Sequence, residues 1–201
     1  MSRKKVLAIG DSLVYGYGLK EENRWVNGVS SQLDLDLVNL SVSGSTVQDV
    51  IKQYERIKHD QFDFVLMGFG MNDVAQMMDK RGALDFNVLE ERSNNLLMLL
   101  DNLDIPILYV SVHHVVEKTY YQRHPQKMYK KISINESLGL FNDWIRKRLE
   151  LNDIWVVDLF NDDTFKKRRE TLLRLDDGLH YSKEGSTFVA NKVLEKLEEQ
   201  L

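Results

Sequence analysis

Short apolar runs alternate along this chain with longer stretches in which apolar residues return every three or four positions. The runs read as buried strands and the periodic stretches as helices packed on them. Val6-Leu7-Ala8-Ile9 is the first run, and it ends in Gly10-Asp11-Ser12, residue types that favour turns. Trp25, Val26, Val29 and Leu33 follow at helical spacing, Leu35 to Val42 reads as a second strand, and Ser43-Gly44-Ser45 closes it. Ser45 with Gln48 three residues on fits a capping box, opening a helix whose apolar face is Val47, Val50, Ile51 and Tyr54. Phe62 to Met67 is the third strand, followed by the turn-rich Gly68-Phe69-Gly70-Met71-Asn72-Asp73.

The spacing of Leu89, Leu96, Leu97, Leu100 and Leu103 predicts a long helix from about Phe86, with the Leu96 to Leu100 run in the core. Ile105 to Val112 is the fourth strand, and residues 113–131, with no clean period, read as a loop or irregular excursion. Ile134, Leu138, Phe141, Ile145 and Leu149 mark another helix, and Ile154 to Leu159 the fifth strand. A charged irregular segment runs to Asp177, and Val189, Ala190, Val193, Leu194 and Leu197 mark a closing helix. Strands that alternate with helices imply parallel βαβ units with right-handed crossovers. The expected architecture is therefore α/β, a three-layer α/β/α sandwich whose five-stranded parallel sheet has the flavodoxin-like order 2-1-3-4-5. With two prolines, no repeat and no low-complexity tract, residues 1–201 are expected to form a single domain.

Composition narrows the function. There is no cysteine, which excludes a thiol nucleophile, a disulfide framework and a cysteine metal centre. A net charge of −4 speaks against general nucleic-acid binding, and Lys166-Lys167-Arg168-Arg169 reads as a solvated face. The basic N-terminus is followed by an apolar run too short for a signal peptide, and no stretch is long enough to span a bilayer. A cytoplasmic protein without stable membrane insertion is expected.

In a parallel sheet the loops after the strands open on one edge. Ser12, Gly44 and Asn72 follow the first three strands, and Asp177-Gly178-Leu179-His180 stands just before the closing helix. Each suits a role in acyl transfer. A serine hydroxyl attacks only when a base removes its proton, and imidazole both takes and returns one. His180 is the candidate base, and Asp177, three residues earlier, the group that orients it. The backbone amides of Ser12 and Gly44 and the side-chain amide of Asn72 are candidate oxyanion donors. Asp11 and Asp73 read as capping or loop hydrogen-bonders. No metal or organic cofactor is required by this set.

These blocks resemble the GDSL esterases and lipases, also called SGNH hydrolases. Gly10-Asp11-Ser12-Leu13 is similar to the family's first block, Gly44 within Ser43-Gly44-Ser45 to the second, Gly70-Met71-Asn72-Asp73 to the third, and Asp177-Gly178-Leu179-His180 to the last. The resemblance runs from Val6 to the final helix. It implies Ser12 as nucleophile, His180 as general base, Asp177 as its orienting acid, and Gly44 and Asn72 in the oxyanion hole. Size and layout look most like the single-domain bacterial branch with thioesterase, arylesterase and lysophospholipase activities. The implied substrate is a small acyl ester or thioester, with acetyl-carbohydrate esterase and acyltransferase as alternatives on the same site. Tyr181 stands where many members have proline.

A Gly-x-Ser-x-Gly elbow is absent, which separates the chain from ordinary α/β-hydrolases. A flavodoxin-like phosphate- or nucleotide-binding module is the rival from another class. It finds no Gly-x-Gly-x-x-Gly or phosphate-loop fingerprint and gives Asp177 and His180 no role. By topology His113-His114 lies on the active edge, where one of the pair is placed to line an acyl pocket; a metal site there needs further ligands. The basic aromatic stretch of Tyr120, Tyr121, Arg123, Lys127, Tyr129, Lys130 and Lys131 reads as a solvated loop rather than a lid.

Overall fold

Five short apolar runs, bounded by turn formers, pair side by side, and the central ones are buried on both faces. The structure, a computed structural model, describes residues 3–56, 61–81, 84–100, 105–128 and 131–200. Strands β1 (Lys5–Gly10), β2 (Asp36–Asn39), β3 (Phe64–Gly68), β4 (Ile107–Val110) and β5 (Trp155–Val157) form one sheet. Its order is β2-β1-β3-β4-β5, every pair parallel, as the alternation of strands and helices predicts. The central strands β3 and β4 are buried throughout, while the edge strands β2 and β5 are partly exposed.

Helices α1 (Ser12–Tyr15), α2 (Trp25–Gln32), α3 (Val47–Glu55), α4 (Met71–Arg81), α5 (Phe86–Leu100), α6 (Glu117–Arg123), α7 (Ile134–Glu150), α8 (Asp163–Leu172) and α9 (Lys183–Gln200) surround the sheet. On one side α2 and α8 pack on α9; on the other α3 packs on α5 and α4 on α7. None of the described helices is long and apolar enough to cross a membrane.

The differences from expectation have local causes. The edge strands are shorter than their apolar runs: β2 ends at Asn39, although Leu40 and Val42 N–H groups still donate to the Ala8 and Gly10 carbonyls as the chain leaves the sheet. The capping box of α3 is Thr46 with Asp49, one residue later than Ser45 and Gln48, because the Ser45 hydroxyl is engaged elsewhere. Residues 71–81 form α4, not a loop, burying Met71, Val74, Met77 and Met78 along one face. The charged segment after β5 contains α8, held by only two buried residues, Phe165 and Leu172.

The excursion after β4 is not a solvated loop. Tyr120 and Lys127 are buried, Lys127 Nζ donates to the Ala75 carbonyl at 3.0 Å, and Tyr121 Oη accepts from Ile134 N–H at 2.8 Å. Tyr129 and Lys130 of that stretch lie outside the described residues, as do Leu103 and the Leu100 side chain. Leu96 is in the core as expected, but Met98 points outward and is 69% exposed.

Candidate active site

The end of β1 is crowded. Gly10 pairs with Gly68 of β3 and has φ +152°, and a methyl group there would sit 2.2 Å from the Gly68 carbonyl oxygen. The chain turns at once into α1. Asp11 caps this helix, its Oδ1 accepting from Leu13 N–H at 2.9 Å, while Trp25 Nε1 donates to the Leu13 carbonyl. Ser12 is thus the first helical residue, its amide in a turn that offers it no intrahelical acceptor.

The second oxygen of Asp11 is buried without a hydrogen-bond partner among the described residues. Burial pushes the Asp11 carboxyl up to about 7, against the Leu13 N–H and with a contribution from nearby Asp73. A folded-state value above the ordinary carboxylate range means that the native protein holds the proton. The associated stability is complete below about pH 4 and is lost as pH rises through about 7. Asp11→Asn keeps the cap and removes the ionisation. We expect it to exceed the wild type by about 2–4 kcal/mol at pH 8.5 in urea unfolding, with little difference at pH 4. Equal pH dependence in the two proteins would contradict this account.

The second loop is fastened to the first. Val42 N–H donates to the Gly10 carbonyl at 3.0 Å, and Ser45 N–H closes the turn on Val42. Between them Gly44 is exposed, with φ +87° and no atom within 4 Å of where a Cβ would stand. Asn72, in the first turn of α4, donates through Nδ2 to the Ser45 carbonyl at 3.0 Å. Its neighbour Asp73 is buried, accepts from Val47 N–H at 3.1 Å, and lies 3.4 Å from Arg92 Nη1. Burial raises the Asp73 carboxyl to about 6, against the opposing pull of Val47 N–H and Arg92.

The third component is a closed turn. Arg174 N–H donates to the His180 carbonyl, Gly178 N–H to the Arg174 carbonyl, and Val116 N–H to the Gly178 carbonyl, each at 2.8 Å. Within it Asp177 Oδ1 accepts from the N–H groups of Leu179 and His180, both at 2.9 Å. Its Oδ2 lies 2.9 Å from His180 Nδ1, and His180 Nε2 lies 2.9 Å from Ser12 Oγ. Burial alone would raise the Asp177 carboxyl, but the His180 ring and the two amides outweigh it and hold it at about 2. The ionised carboxylate therefore takes Nδ1–H, leaving Nε2 to accept the serine proton. Tyr17 packs on the His180 ring at 4.5 Å between centroids, and the Arg174 guanidinium lies over Tyr17 at 5.8 Å.

Ser12, His180 and Asp177 thus form one continuous hydrogen-bonded chain beside the Gly44 and Asn72 loops. The model of the GDSL-like lipase/acylhydrolase family matches residues 8–187, from β1 into α9. The chain belongs to this family. Among solved structures, the lipase/acylhydrolase from Enterococcus faecalis superposes with a TM-score of 0.74 at 19% identity, covering 98% of this chain and 97% of that one. The psychrotrophic esterase EstA from Pseudoalteromonas sp. gives 0.71 at 17% identity, covering 98% of each. An acetylxylan esterase from Geobacillus stearothermophilus, solved as a catalytic mutant, gives 0.65 at 19%, covering 96% and 93%. At these identities the likeness is one of fold. No curated protein sequence matches the chain.

Tyr181, next to His180, is buried and forms an isolated antiparallel bridge with Leu173. His113 packs on its ring at 5.0 Å and on Phe165 at 4.8 Å. Burial holds His113 down at about 4, against the pull of the His114 carbonyl and the Asp177 carboxylate. It is therefore a neutral core residue and does not line an open pocket; His114 stacks on Phe160. Reading the sequence also missed Gln53 of α3. Its amide bonds both backbone polar groups of Gly10 and the Ser45 hydroxyl. The available signal was a polar residue on the inward face, next to Val50 and Tyr54.

Proposed function

We propose that the protein is a serine esterase that cleaves carboxylic esters or thioesters through an acyl-enzyme on Ser12. The single observation that carries this reading is the chain Ser12 Oγ–His180–Asp177, with both links at 2.9 Å. In the acylation step His180 Nε2 takes the hydroxyl proton as Ser12 Oγ attacks the acyl carbon. The imidazolium is stabilised by Asp177, which stays ionised, and returns the proton to the departing alkoxide or thiolate. Water activated by the same imidazole then hydrolyses the acyl-enzyme.

The tetrahedral intermediates place negative charge on the former carbonyl oxygen. The amides of Ser12 and Gly44 and the second N–H of Asn72 Nδ2 are the donors assigned to it. Asn72 spends only one of its amide protons on Ser45. Gly44 suits the role because its open surroundings let substrate approach the backbone closely. Each such donor contributes about 2.7–4 kcal/mol to the transition state in comparable enzymes.

Treatment with a fluorophosphonate, followed by peptide mapping, tests the reading. We expect an adduct on Ser12 and turnover of p-nitrophenyl acetate. Absence of both sinks the hydrolase assignment. Because an acetylxylan esterase and a lipase/acylhydrolase share this fold, the substrate panel should contain acetylated xylan, p-nitrophenyl esters of graded length and acyl-CoA thioesters.

A further inference from the structure

Gln53 is 2% exposed and lies on α3, away from the proposed reacting atoms in sequence but bonded to the loops that carry them. Its Oε1 accepts from Gly10 N–H at 2.8 Å. Its Nε2 donates to the Gly10 carbonyl at 2.9 Å and to the Ser45 hydroxyl at 3.0 Å. Gly10 is the last residue of β1, two before Ser12, and its carbonyl already receives Val42 N–H. Ser45 follows Gly44, and its carbonyl receives Asn72. One planar amide, with its acceptor and both donor hydrogens used, therefore ties the Gly10–Ser12 segment to the 42–45 turn, and through the Ser45 carbonyl to Asn72 of α4.

We propose that Gln53 is a positioning residue: it sets the distance between the Ser12 loop and the Gly44–Asn72 pair, and so the shape of the oxyanion hole. The inference rests on the esterase reading above and deepens it. No apolar residue of similar length reproduces the clamp, because it leaves Gly10 N–H and the Ser45 hydroxyl without this partner in a buried place. Glutamate keeps the acceptor but sets a negative charge against the Gly10 carbonyl. Released from the clamp, the 42–45 turn keeps the Val42 N–H bond to the Gly10 carbonyl but loses its tie at Ser45, and its Gly44 end shifts relative to Ser12. Oxyanion donors act on charge that develops in the transition state, so their displacement lowers kcat far more than it raises KM.

The test compares wild type, Gln53→Met and Ser45→Ala, the last removing only one of the three bonds. Active sites are titrated with fluorophosphonate carried to completion, and kcat is expressed per labelled site, so that misfolded protein does not count. Melting temperatures are recorded separately. The expected result is a fall in kcat per labelled site of about 10–100-fold for Gln53→Met and about 3–10-fold for Ser45→Ala, with KM within about 3-fold of wild type. Should Gln53→Met fail to fold, Ser45→Ala decides alone. If kcat per titratable site in the folded variants is within about twofold of wild type, whatever their melting temperatures, Gln53 is structural only and the positioning role is overturned. Absence of both label and turnover in the wild type is a different result: it removes the esterase reading itself, and this role with it.

Discussion

His180→Ala is expected to lower kcat/KM for p-nitrophenyl acetate by roughly 10³–10⁵, and adding Ser12→Ala is expected to cost little more. The two side chains are joined by a single 2.9 Å hydrogen bond, and the serine proton has that imidazole nitrogen as its acceptor. Without the base the hydroxyl remains protonated at neutral pH, and a protonated hydroxyl is a poor nucleophile. Once either member is lost the other has nothing to act on, so the losses do not multiply. Activity that survives in the double variant measures what the oxyanion donors and binding supply without a nucleophile. Steady-state kinetics on the two single variants and the double variant check this. Losses that multiply would show that Ser12 and His180 work independently, and the proposed unit would be wrong.

The largest effect on stability is expected from Gly10→Ala. At φ +152° an L-residue is strained, and the new Cβ would meet the Gly68 carbonyl oxygen at 2.2 Å and Val14 Cγ2 at 2.6 Å. Both glycines belong to paired strands in the middle of the sheet, so relief requires β1 to move away from β3. A cost of about 3–5 kcal/mol is expected, enough to unfold a marginal domain. Gly44→Ala is the companion measurement. Its φ of +87° is equally foreign to alanine, yet no atom stands within 4 Å of the added methyl. It should cost only about 1 kcal/mol, while impairing hydrolysis by crowding the approach of substrate. Urea unfolding of the two variants separates the clash from the backbone strain. Equal losses would show that the clash at Gly10 is relieved by small shifts.

Why the strands and their order were legible is clear from Val6 to Ile9 and Val65 to Met67, which the two helix layers cover completely. Their burial on both faces leaves an unbroken apolar run, and the alternation with helices leaves few topologies. α4 was hidden because Gly68 and Gly70 precede it and Asn72 and Asp73 open it, all turn-forming types. α8 was hidden because two buried residues carry a helix otherwise made of charged residues and threonines. Ser12, Asp177 and His180 were readable because each sits in a short block with its own spacing. Gln53 belongs to no block. Its three bonds reach Gly10 and Ser45 across a packing interface, and such partnerships leave no local spacing to read.

The two links of the Ser12–His180–Asp177 chain differ greatly in the length of polypeptide they span. His180 and Asp177 are three residues apart in a turn that closes on itself, whereas the His180–Ser12 bond joins positions 168 apart. Contacts over such separations form late in folding, because the intervening chain must be ordered first. A ribosome-bound chain exposes Ser12 long before His180 has been made, so the serine waits for its imidazole. On the function proposed above, reactivity of Ser12 toward an electrophile then becomes a signal that the first strand and the turn ahead of the last helix have come together, at the end of folding.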